Sequence, residues 1–117
     1  MEKFRQLIAW QKTHKLVLMV YELIKKFPRE EKFILIPQII RAVISIAANL
    51  AEGTKRRSLA DQKHFFNMSE TSLEEVKYYL ILAQDLGYIS NTEFENALAL
   101  SREVGRLIHG LINRSVQ

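Results

Sequence analysis

Residues 38–53, QIIRAVISIAANLAEG, constrain the fold more than any other stretch of the chain. Positions 39, 40, 42–44, 46–48, 50 and 51 are all apolar. On a helix turning about 100° per residue they cover roughly 240° of the surface. Gln38, Arg41, Ser45, Asn49 and Glu52, at steps of 3, 4, 4 and 3, fall in a sector roughly 80° wide. A helix in a lone bundle needs an apolar face of little more than about 100°. One that is apolar nearly all round is covered on two sides, and in a short chain the simplest second cover is another copy. The stretch therefore predicts a homo-oligomer. The polar line has three readings: a water-facing stripe, a buried network that fixes register between helices or subunits, or the lining of a site. Arg41 and Glu52 lie about three turns apart and cannot meet. Burying either one unpaired would cost several kcal/mol, so Glu75 on the next helix is a candidate partner for Arg41.

The rest of the chain is punctuated as helices. It holds 4 Gly and 2 Pro in 117 residues, and no strand-like alternation persists. The first helix is expected over about residues 5–26, with Trp10, Val17, Val20, Ile24 and Phe27 as its repeat and Leu16 and Leu23 widening the face. Phe27–Pro28 stops it, because the residue before proline avoids helical geometry. The second is expected over 37–53, with Pro37 at a first helical position and Gly53 as a left-handed cap. TKRR then forms an exposed turn. Ser58, with Asp61 three residues on, opens a third helix over 59–86 that closes on Gly87. Ser90 with Glu93 is a capping box for a fourth helix over 91–113. Its apolar line is Phe94, Ala97, Ser101, Val104, Ile108 and Leu111. Short loops make successive helices antiparallel, so the expected fold is all-α, an up-down-up-down antiparallel four-helix bundle forming one domain over residues 1–117.

Composition narrows the class. The chain is 48% hydrophobic and 26% charged, within the globular range. It has no cysteine, which excludes a disulfide framework and a thiolate metal site. The longest uncharged runs, FILIPQII and AVISIAANLA, stop well short of the ~18–20 residues of a membrane span. MEKFRQLIAW lacks the apolar core of a signal peptide. A soluble cytoplasmic protein with no membrane partner is expected.

Net charge is +4, unevenly spread. Residues 1–29 carry seven Lys/Arg against two Glu, and 53–64 carry four against one Asp. Residues 65–101 carry Lys77 alone against six acids. In an up-down bundle the 54–57 turn, the end of helix four and the start of helix one meet. That brings Lys55, Arg56 and Arg57 together with Arg114, Lys3 and Arg5. Arg102, Arg106 and His109 share one face of helix four at steps of 4 and 3. Such a basic end suits phosphate contacts without base readout.

The chemistry of an enzyme is thin. AEGTKRRS has one Gly and lacks the second Gly of a phosphate loop. Asp61 and His64 are spaced as metal ligands are, but a single pair on a surface turn is ordinarily solvated. Glu70, Glu74 and Glu75 lack the Glu-x-x-His pairs of a di-metal bundle. No metal, cofactor or catalytic residue is expected. One rival is Arg102 with His109, at the Arg-x(4–6)-His spacing of HEPN-type ribonucleases, where histidine moves a proton and arginine holds phosphate.

LIAWQK, VYELIKKFP, QIIRAVISIAANLAEGTKRRS, HFF…ETSLEE and LAQDLGYI resemble the small bacterial four-helix bundle family, also called the ribosomal-RNA intervening-sequence protein family. The resemblance runs from about Phe4 to Ile89 and is densest at Gln38, Arg41–Ala42, Ser45–Ile46, Asn49 and Ala51–Glu52–Gly53. Ile40 stands where the family often has a further arginine, Ile34 where it often has Gly, and Thr71–Ser72 where it often has Gly-Ser. Pro37 occupies a position usually filled by a small polar residue. The resemblance implies a bundle that assembles as a ring, typically a homopentamer. Some members are encoded within intervening sequences of large ribosomal RNA genes, and distant relatives are nucleic-acid-binding accessories of retroelement reverse transcriptases. It implies no catalysis.

The reading is a non-enzymatic, ring-forming bundle that binds structured nucleic acid, RNA first and DNA second, or serves a nucleic-acid-processing partner. Its contacts are expected from Lys55, Arg56, Arg57, Arg102, Arg106 and Arg114. Gln38, Arg41, Ser45, Asn49, Glu52 and Glu75 form the structural polar set. The alternatives are an oligomeric scaffold for a protein partner, and the ribonuclease.

Overall fold

The structure is a computed structural model that describes residues 1–116, with side chains as far as Arg114. Four α-helices and no strand occur among the described residues: α1 (Ile8–Ile24), α2 (Leu35–Lys55), α3 (Leu59–Asp85) and α4 (Asn91–Val116). Each packs on two others in cyclic order, α1 on α2 and α4, α3 on α2 and α4. The register is antiparallel. The Ser45 and Ser72 hydroxyls are 2.8 Å apart, and the Ser69 hydroxyl donates to the Ile46 carbonyl at 2.9 Å, so numbers rise on α2 as they fall on α3. Between α1 and α4, Lys12 meets Glu103 at 3.1 Å near one end, and Lys26 meets Glu93 near the other. The bundle measures 44 × 25 × 25 Å.

The capping chemistry read from the sequence is in place after α2. The Asp61 amide donates to the Ser58 hydroxyl at 3.0 Å, satisfying one free donor of α3. Ser90 and Glu93 bond reciprocally, at 3.1 and 2.8 Å. Gly87 has φ +80°, where a side chain would be strained. The amides of Gly87 and Tyr88 reach back to the Gln84 and Ala83 carbonyls, each at 2.9 Å, the two bonds of a Schellman end. Tyr88 then packs its ring 5.3 Å from that of Phe27 and donates its hydroxyl to Glu31 at 2.7 Å. Acceptance of that proton by the Glu31 carboxylate raises the Tyr88 phenol above its ordinary value.

Several expectations need correction. The first helix does not start at Arg5: Lys3–Gln6 is a separate 3-10 turn, and Leu7 is extended. The Gln11 side chain donates back to the Arg5 carbonyl, and Phe4 meets Trp10 edge-on at 5.1 Å, which folds that turn onto α1. The core line of α1 is Ala9, Thr13, Leu16, Val20, Leu23 and Phe27. Trp10, Val17 and Ile24 lie on its flank, half-buried. Thr13 is tolerated inside because its hydroxyl donates to the Ala9 carbonyl at 2.7 Å.

Helix α2 starts at Leu35, two residues before Pro37, because no first-turn amide needs a partner within the helix. It also runs past Gly53 to Lys55, so only Arg56–Ser58 remain as the turn. Gly53 is helical. A Cβ there would lie 2.8 Å from Cδ1 and 3.1 Å from Cζ of Phe66, so the residue is glycine to let α3 approach. Helix α4 continues to Val116 rather than ending near Asn113. By length and composition alone α2 is long and apolar enough to cross a membrane, which a count of uncharged runs broken at Arg41 misses. In the bundle its Ile39, Val43, Ile46 and Leu50 are fully buried against the other helices.

Candidate nucleic-acid interface

The last residue of α2 and the short turn after it hold three consecutive cations, Lys55, Arg56 and Arg57, at one end of the bundle. Arg56 is occupied: its Nη2 lies 2.7 Å from Glu52 Oε2, and its guanidinium sits 4.6 Å from the Phe65 ring centre. Its carbonyl accepts the Gln62 amide at 2.9 Å, which pins the turn. Lys55, Arg57 and Arg114 are exposed. None of the three makes an ion pair among the described residues. Lys3 and Arg114 line a cleft of about 340 Å³ whose wall includes Thr54, Gln62 and Phe66. The start of the chain, the last turns of α4 and the α2–α3 turn therefore meet, as up-down connectivity requires.

Arg102 and Arg106 are not part of that end. They line a groove of about 630 Å³ between α3 and α4, with His109 beside them. Arg114, twelve residues on from Arg102, is turned by about 120° toward the start of α1. The six cations proposed as one set thus divide into an end and a side groove. Lys77, counted in the sequence only as the lone cation of an acidic stretch, is the residue that reading misses. Position 77 lies level with Arg102, since His109 faces Glu70 and Gly105 faces Leu73. Helix register was the signal that could have found it.

The polar line of α2 runs along the α2–α3 seam. In its middle, Asn49 donates to the Ser45 carbonyl at 2.9 Å and to its hydroxyl at 3.0 Å, and Ser45 meets Ser72. The bonds stay within the chain. Gln38 and Arg41 are exposed, and Glu52 is held by Arg56. The line is therefore wet at its ends and a within-chain network at its centre. Arg41 forms no ion pair with Glu75. The register brings the two level, but both lie in water, where such a pair is worth only about 0–1 kcal/mol. Glu75 instead borders a shallow groove of about 350 Å³ with Ser45, Asn49 and His64.

Fold and surface together define an antiparallel four-helix bundle with a cation-rich end. The family model of the 23S rRNA-intervening sequence proteins matches residues 5–110, and the chain belongs to that family. Its helices also superpose on a crystal structure from Bacteroides thetaiotaomicron, described as a protein of unknown function from the S23 ribosomal protein family. The two share 25% identity with a TM-score of 0.83, over 90% of this chain and 98% of that one. No curated protein matches the chain.

Proposed function

We propose that this chain is a non-catalytic, cytoplasmic bundle that self-assembles and binds structured nucleic acid, RNA in the first place, through its basic end. The observation that carries the reading is the convergence of Lys55, Arg57 and Arg114 at one end with no carboxylate paired to them among the described residues. Unpaired cations contribute phosphate affinity without first breaking an internal bridge. A family described by ribosomal RNA intervening sequences makes RNA the first ligand to test. Repetition of the end on each copy would add weak contacts through avidity. The same end also suits an accessory role beside a nucleic-acid-processing protein.

Self-assembly is supported by the outer face of α2. Ile44, Ala47, Ala48 and Ala51 recur there at helical spacing, outside the buried line of Ile39, Val43, Ile46 and Leu50, with Ile40 half-buried at its edge. Ile44 is 42% exposed, and Phe33 in the preceding loop is 85% exposed. A second copy is the occupant we propose, in a ring that is a homopentamer on the family pattern. Ile44→Glu is expected to leave helicity intact and shift the scattering mass from a multiple of 13.7 kDa to the single chain. An unchanged mass removes this face from the interface.

The ribonuclease reading has one observation in its favour, that Arg102 and His109 border the same groove. The His109 Nδ1, however, faces Glu70 Oε2 at 3.8 Å, longer than a hydrogen bond. His109→Ala is expected to change nothing in an RNA integrity assay, because the wild-type chain leaves RNA intact. Cleavage by the wild type that His109→Ala abolishes would replace the non-catalytic reading.

A further inference from the structure

The α3–α4 groove is built differently from the basic end. Its α4 wall is cationic: Arg102 and Arg106 stand one turn apart, about 6 Å along the axis, both exposed and with no ion pair among the described residues. Its α3 wall is mostly acidic. Glu74 is bridged to Lys77 at 3.0 Å, and Glu70 lies opposite His109. The floor is made by a close helix contact: a Cβ on Gly105 would lie 3.2 Å from Leu73 Cδ2 and 4.0 Å from Lys77 Nζ. Lys77 is thereby held over the middle of the groove, its side chain only 25% exposed.

Such a groove selects its ligand on two edges. The α4 wall offers donors and positive charge, which suit phosphate oxygens. The carboxylates of the α3 wall only accept, so they require hydroxyl or amino donors and repel a ligand that is anionic on both edges. No Phe, Tyr or Trp lines the groove, and its single ring, His109, faces Glu70, so there is no aromatic platform for a run of splayed bases. The backbone of an RNA helix meets all three conditions. Its wide minor groove shows 2′-hydroxyls beside a line of phosphates. DNA offers the phosphates without the hydroxyls.

We propose that the α3–α4 groove seats one strand of an RNA duplex, with consecutive phosphates on Arg102 and Arg106 and ribose 2′-hydroxyls on Glu70. The proposal rests on the nucleic-acid reading above and adds to it a way to distinguish RNA from DNA. The basic end supplies phosphate contacts that either duplex satisfies, and the groove supplies the preference.

The test uses the full chain with an RNA duplex and a DNA duplex of the same sequence. Arg102→Gln with Arg106→Gln is expected to weaken RNA binding by about 10–100-fold and to flatten the salt dependence by nearly two phosphate contacts, a slope change of about 1.8. Glu70→Gln is expected to reduce the RNA-to-DNA affinity ratio roughly five- to tenfold without weakening DNA binding. All three side chains are on the surface, and far-UV circular dichroism checks that each variant is folded. Wild-type affinity for RNA in the groove variants, with binding lost only on reversal of the end charges, overturns the groove and leaves the end standing. A wild-type chain that binds RNA and DNA equally, with Glu70→Gln changing neither, also overturns it. Failure of the wild type to bind either duplex overturns both readings.

Discussion

Lys55→Glu, Arg57→Glu and Arg114→Glu together are expected to lower the affinity for structured RNA by on the order of 100-fold or more near physiological salt. The salt slope should become shallower by about three phosphate contacts. These three are chosen because none of them makes an ion pair among the described residues. Arg56 is left in place because it already neutralises Glu52 and rests on Phe65, and its loss would disturb the turn as well as the charge. Reversal is stronger than neutralisation, since each carboxylate also repels the phosphate it replaces a contact to. Fold and assembly should survive. All three positions are exposed, and because Lys55 stands one turn beyond Ala51 on the outer face of α2, light scattering of the triple variant checks that assembly is kept. Retained RNA affinity in a folded triple variant would remove the basic end from the binding surface.

The second large effect concerns Gly53. As a left-handed cap it would accept Asn with little loss, because Asn is the other residue that populates that conformation. The structure gives it another role, the point where α2 lets the Phe66 ring in. Gly53→Ala gains about 1 kcal/mol of helix propensity and meets an overpacking cost of about 1–3 kcal/mol. The Phe66 ring is 4% exposed and has little room to move. Gly53→Asn loses more, about 3 kcal/mol, since it also buries an amide beside an aromatic ring. At about 4 °C per kcal/mol for a chain this size, the Asn variant should melt roughly 10 °C lower. The assignment can be checked by a double-mutant cycle. Trimming Phe66 to Leu should recover much of the Gly53→Ala loss, a coupling of about 1 kcal/mol. Additive losses would mean that the ring is not what the glycine accommodates.

These two residues show what a sequence can and cannot convey. Both ends of α3 and the start of α4 were legible because capping is local: Ser58 with Asp61, Ser90 with Glu93, and Gly87 each act within a few residues. The apolar line of α4 was legible for the same reason, and all six of its residues are buried. Gly53 was not, because its neighbour Phe66 lies on another helix. On α1 the expected face held the buried Leu16, Val20, Leu23 and Phe27, but it also ran through the flanking Trp10, Val17 and Ile24 and left out Ala9 and Thr13. Large side chains on the flank outweigh small Ala9 and Thr13 on the axis of burial, so counting apolar residues rotates the face.

The site was less legible than the fold. Proximity in sequence joined Arg102, Arg106 and Arg114, yet about 100° per residue carries Arg114 to a different face. Lys77 was invisible for the opposite reason: it stands far from Arg102 in sequence and level with it in the register of α3 and α4. The polar line of α2 was recognised as a unit, but its partner Ser72 was not, because a serine among the polar residues of α3 carries no mark of burial. The outward Ile44 could be read directly, since an apolar arc wider than one core requires a second cover.

The most direct test of the account is the binding of the purified wild-type chain to structured RNA and to duplex DNA across a salt series, with light scattering on the same samples. The account predicts an oligomer that binds RNA at micromolar concentration or tighter near physiological salt. The logarithm of its affinity should fall linearly with the logarithm of salt, with a slope of about −3 or steeper. An oligomer that binds neither nucleic acid under those conditions would contradict it, and the basic end would then have to be explained by a protein partner.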